Sequence, residues 1–61
     1  MSLETTVFEI FDADESKELT YSRDEAEAAF EKHFQVVERQ IWTVHLSQHD
    51  SVSTIVTRVW N

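Results

Sequence analysis

The sequence predicts an α+β domain in the order β-α-β-β, with one helix packed on one face of an antiparallel sheet and room for a short extra strand before the helix. Two observations carry this expectation. The first is a switch in pattern: runs rich in Val, Ile, Thr, Phe and Trp lie on either side of a stretch whose apolar residues recur every three or four positions. The second is a split in charge. Residues 1–35 hold ten of the twelve carboxylates against Lys17, Arg23 and Lys32, whereas Glu38 and Asp50 are balanced by Arg39 and Arg58 in the remainder. An acidic, helix-bearing half is thus joined to a neutral, strand-forming half.

Each element has a local reason. Leu3 to Phe11 contains Thr5-Thr6-Val7-Phe8-Glu9-Ile10-Phe11, a run that favours a strand. Glu18-Leu19-Thr20-Tyr21 can pair back on it after an acidic turn. Ser22-Arg23-Asp24-Glu25 reads as a capping box, in which Ser22 bonds the Glu25 N–H and Glu25 reaches back to Ser22. The helix is expected over 23–35, with Ala26, Ala29, Phe30, His33, Phe34 and Val37 forming an apolar stripe opposite Glu27, Glu31 and Lys32. Val36 to Ser47 and Val52 to Trp60 then form a hairpin around a polar turn. The chain contains no Gly and no Pro, so its turns must be built from Asp, Asn or Ser, as at residues 12–17 and 47–51.

In the hairpin, Trp42, Val44 and Leu46 share one face while Val37 and Ile41 share the other; Val52, Val56 and Trp60 likewise oppose Ile55 and Val59. Both faces are partly apolar, and one helix covers only one of them. The second face therefore has a reason to pack against another copy of the chain. A homodimer is expected, with Ile41, Ile55, Val59 and Trp60 as candidate contact residues; Trp60 is equally a candidate for the edge of the core, and Trp42 is expected in the core.

Size and charge bound the function. A single domain spanning 1–61 hides only about 60% of its unfolded surface, so a dense core, a metal or association must supplement it. Cysteine is absent, so disulfides cannot. Content of 41% hydrophobic residues sets the chain apart from a disordered acidic tail. No apolar run approaches the roughly 20 residues that span a bilayer, and a cytoplasmic protein without membrane contact is the expectation. A net charge of −7 opposes direct binding to nucleic acid. The same charge suits a basic protein surface, met through Glu15, Glu18, Asp24, Glu27 and Glu31. In one version these carboxylates imitate nucleic-acid phosphates.

The segment Asp12-x-Asp14-x-Ser16-x-x-Leu19-Thr20, preceded by Phe8 and Phe11, resembles the calcium loop of EF-hand proteins. Alternate oxygen-bearing residues on a sharp loop can converge on one hard cation. The resemblance implies calcium as a cofactor, held by Asp12, Asp14, Ser16, Glu18 and, across a lengthened loop, Glu25. Lys17 and Arg23 stand where that family has Gly and a bidentate Glu, so a solvated turn without any cofactor is the preferred reading. His33, His45 and His49 have no convergent spacing, since the last two lie about 13 Å apart on an extended strand. No Ser sits in a Gly-x-Ser-x-Gly turn, and there is no Cys nucleophile. A non-catalytic interaction module is the expected function.

Overall fold

The computed structural model describes residues 1–61. Strand β1 (Ser2–Asp12) turns back at Ala13 and Asp14 into β2 (Glu15–Thr20). Both turn residues have positive φ, 48° and 70°, which matches the right-handed twist of the strands it joins, as in a type I′ hairpin turn. Helix α1 (Arg23–Glu31) crosses back over the sheet and leads to β3 (Gln35–His45), which pairs with β4 (Ser51–Val59). The four strands are antiparallel throughout, in the order β2-β1-β3-β4. The expected α+β architecture is present, and the optional strand before the helix is β2.

The helix starts where its cap dictates. Ser22 is extended (φ −89°, ψ 116°) and its Oγ accepts the Glu25 N–H at 3.3 Å, satisfying one of the unpaired donors of the first turn. The capping box is only half formed, because the Ser22 N–H donates to Thr20 Oγ1 at 3.0 Å instead of to Glu25. The helix ends at Glu31, four residues short of the expected boundary. His33 takes φ 71°, its N–H reaching Phe30 O at 3.0 Å while Phe34 N–H reaches Ala29 O at 3.1 Å. This is the Schellman termination, with His in the position usually held by Gly. His33 and Val37 consequently leave the helix stripe: His33 is exposed, and Val37 joins the opposite face of the sheet.

Register assigns the two faces. Phe8, Ile10 and Val36 point toward the helix and enclose Ala26, with Ala29, Phe30, Phe34 and Trp60 packed around them. Only six of 61 residues are buried, because the helix is nine residues long and shelters one end of a molecule 45 Å in its longest dimension. Trp42 lies beyond its reach, half-buried rather than in the core. At the far end, the hairpin turn closes as its composition suggests. Leu46 N–H donates to Asp50 O at 2.9 Å, and the Asp50 N–H donates to Ser47 Oγ at 3.2 Å.

Candidate interaction surfaces

Two surfaces carry the residues singled out by the sequence, and a third feature is buried beneath the helix start. On the helix, Asp24, Glu27 and Glu31 follow at spacings of three and four and are all exposed, so they form one acidic face turned away from the buried Ala26. The β2 carboxylates are set apart from it. Glu15 pairs with Lys17 at 3.2 Å. Glu18 meets Glu25 of the helix, and hydrogen bonding to that second carboxyl, followed by desolvation, pushes Glu18 above 4.5. The five expected acidic residues thus fall into a helix set of three and a β2 set of two.

The calcium reading placed Asp12, Asp14, Ser16, Glu18 and Glu25 around one centre, and the structure gathers only part of the set: Asp12, Glu18 and Glu25 border one helix-side cavity, which Lys17 and Lys32 also line, while Asp14 and Ser16 lie outside it. A two-residue turn leaves no loop to wrap an ion: Asp12 stands opposite Glu15 across the hairpin. Ser16 lies on the face away from the helix, its Oγ donating to Glu9 at 2.6 Å, while Glu18 and Glu25 meet on the helix side. No three His, Asp or Glu side chains are placed to hold a metal ion. Millimolar calcium is expected to leave the melting temperature unchanged, since a ligand stabilises only in proportion to its binding of the folded state. A rise of several degrees in a thermal melt would overturn this. The three histidines are likewise dispersed, at the helix end, the end of β3 and the hairpin turn.

The second surface is the sheet face without a helix. Val37 pairs with Val59 and Ile41 with Ile55, and Ile55 and Val59 are 59% and 50% exposed. Within this apolar face sits one ion pair, Arg39 to Glu9 at 2.8 Å. The Ser16 hydroxyl and the Arg39 guanidinium together hold the Glu9 carboxyl below 4.5. Trp60, a candidate both for this face with Ile41, Ile55 and Val59 and for the core edge, takes the second position. It lies on the helix side, edge-to-face with Phe8 at 5.7 Å and Phe30 at 5.5 Å.

The third feature is a largely buried polar cluster that sequence reasoning missed. Glu38 is buried on the helix side, its side chain 3% exposed, and its charge is fully engaged. Trp60 Nε1 donates to one oxygen at 2.9 Å; Gln40 Nε2 and Arg23 donate to the other at 3.0 and 3.4 Å. Gln40 in turn accepts from Trp42 Nε1 at 3.1 Å, and Arg23 lies over the Phe8 and Trp60 rings. Burial raises the Glu38 carboxyl, but the Trp60 and Gln40 hydrogen bonds and the nearby Arg23 and Arg58 charges outweigh it and hold it below 4.5. The signal was available: Val36, Glu38, Gln40 and Trp42 alternate onto one face, and two indole N–H groups near a core need acceptors. With no polar atom left over, the cluster joins the two tryptophans to the helix start as a structural unit. No known protein family, curated protein or solved structure matches the chain.

Proposed function

We propose that this protein is a small, non-catalytic interaction module of the cytoplasm that self-associates through its sheet and engages a basic protein surface through its acidic helix face. The observation that carries this reading is the separation of the two surfaces. Asp24, Glu27 and Glu31 stand exposed on the helix, whereas the hairpin presents exposed Val52, Ile55, Val56 and Val59 in a segment without net charge. Apolar exposure on this scale is uncommon on an isolated small domain and supports contact with another chain. Clustered carboxylates steer a basic partner over distances comparable to the Debye length.

The test is capture of partners from the native host on the immobilised protein, with elution by salt. Partners are expected to dissociate between about 0.15 M and 1 M salt, as screening shortens from about 8 to 3 Å. The triple variant Asp24→Lys, Glu27→Lys, Glu31→Lys is expected to lose them while keeping its circular dichroism spectrum. Retention of the same partners by the variant would overturn the charge-based reading. If the partner is a nucleic-acid-binding protein, competition by DNA or RNA identifies the carboxylates as phosphate mimics.

A further inference from the structure

Resting on the self-association reading, we infer that the second copy joins along the free edge of β4, antiparallel and in a register centred on Ile55, so that two four-stranded sheets become one. The phase of the β3–β4 ladder fixes which backbone groups are free. Trp60 N–H donates to Val36 O at 3.0 Å and Leu46 N–H to Asp50 O at 2.9 Å, and no register shift interrupts the strands between these bonds. Antiparallel ladders alternate, so the even-numbered residues of β4 bond to β3. Ser51, Ser53, Ile55, Thr57 and Val59 then direct their N–H and C=O groups outward, where no strand follows β4 in the sheet.

Such an edge is a template for another strand unless it is guarded by charge, proline or a bulge. The remaining edge stretches are guarded. β2 carries Glu15, Lys17 and Glu18, and its ladder with β1 is shifted between Ile10 and Phe11. The stretch of β1 beyond β2 carries exposed Glu4 and a second irregularity between Leu3 and Thr5. β4 has neither a proline nor a bulge, and of its nine exposed positions, SVSTIVTRV, only Arg58 near one end is charged, which leaves Ser51 to Thr57 unguarded.

The occupant is a second copy because the edge complements itself. Two-fold pairing about Ile55 sets Ser53 against Thr57 and Ser51 against Val59, matching outward groups with outward groups. On the helix side Thr54 meets Val56, and Val52 meets Arg58. No like charges face each other, and Asp50 falls diagonally opposite Arg58 of the partner subunit, within reach of a long side chain. β2 is the strand farthest from β4, so its carboxylates stay apart. Stacking through the uncovered face would instead strip water from Glu9 and Arg39, still 19% and 35% exposed, a desolvation that ion pairs recover poorly. Edge pairing leaves that pair as it is.

Amide hydrogen exchange, read residue by residue across a concentration series alongside light scattering, tests the inference on the unmodified protein. As the mass rises above 7.2 kDa, exchange at Ser53, Ile55 and Thr57 is expected to slow by about tenfold or more, because their N–H groups become paired. Association without this slowing would overturn the edge and leave self-association standing. A mass that stays at the monomer value at every concentration would overturn both. The variant Thr57→Pro removes an outward donor without taking a bond from β3, which edge positions tolerate. It is expected to stay folded and monomeric, and association equal to that of the parent would refute β4 pairing.

Discussion

Replacing Phe8 with Ala is expected to abolish cooperative folding. The ring is 2% exposed, packs edge-to-face against Trp60 at 76°, and lies 5.2 Å beneath the Arg23 guanidinium. Truncating a buried Phe costs about 3–5 kcal/mol, and the aromatic pair adds about 0.5–1.5 kcal/mol. Domains of this size rarely hold more than about 3–5 kcal/mol from their core alone. Near-ultraviolet circular dichroism and a thermal melt would show the loss. A denaturant titration giving less than about 1 kcal/mol would mean that Phe8 does not anchor the core. Phe30 and Phe34, which lead the helix stripe in sequence, are only half-buried, so their truncation is expected to cost less.

The second large effect is expected at Glu38. In Glu38→Ala the Trp60 and Gln40 donors lose their acceptor, and each stranded donor costs about 1–3 kcal/mol. Arg23 is half exposed and recovers water, so the loss falls mainly on the two N–H groups. Glu38→Gln keeps an acceptor and removes the charge, and it should destabilise less. The pH dependence follows from the direction of each shift. Glu38 and Glu9 are held below 4.5 in the folded state, so the stability they contribute is present above their unfolded values and is lost as pH falls through the folded ones. Glu18 is raised, so its contribution has the opposite sign: present below its unfolded value, lost as pH rises through the folded one. Stability measured by denaturant is expected to fall between about pH 5 and pH 3, with a shallower fall in Glu38→Gln. An identical slope in variant and parent would show that Glu38 is not a source of acid sensitivity.

The strands and the helix start were legible because their signals are local: β-branched runs, a polar turn, and a Ser followed three positions later by Glu. Alternation grouped Val37 with Ile41 on one strand and Ile55 with Val59 on the other, but the register that sets Val37 against Val59 and Ile41 against Ile55 is fixed by the pairing of the strands and not by alternation. The helix end was not legible, because termination usually announces itself with Gly and here falls to His33, a residue with no such preference. The extent of cover was also hidden. Alternation shows that Trp42 faces the helix side, but only the sheet's length against a nine-residue helix leaves it outside the core. Glu38 was overlooked as one more carboxylate, since its role depends on Trp60 arriving from the far end of the chain. The calcium-like spacing failed for a related reason. Asp12, Asp14 and Ser16 have the side chains of an ion loop, but the backbone between them is a hairpin.

The turns have a thermodynamic consequence that lies outside the native contacts. Ala13, Asp14 and His33 occupy left-handed backbone, where a side chain costs about 1–2 kcal/mol at each position relative to glycine's freedom. Average usage would give a chain of 61 residues roughly four glycines, and this one has none. Each glycine absent at a compatible position narrows the unfolded ensemble by about 0.4–1 kcal/mol. The two effects have opposite signs, so the strain in the native turns is offset in part by disorder that the denatured chain never gains. A fold with six buried residues thus draws part of its stability from the stiffness of its unfolded state.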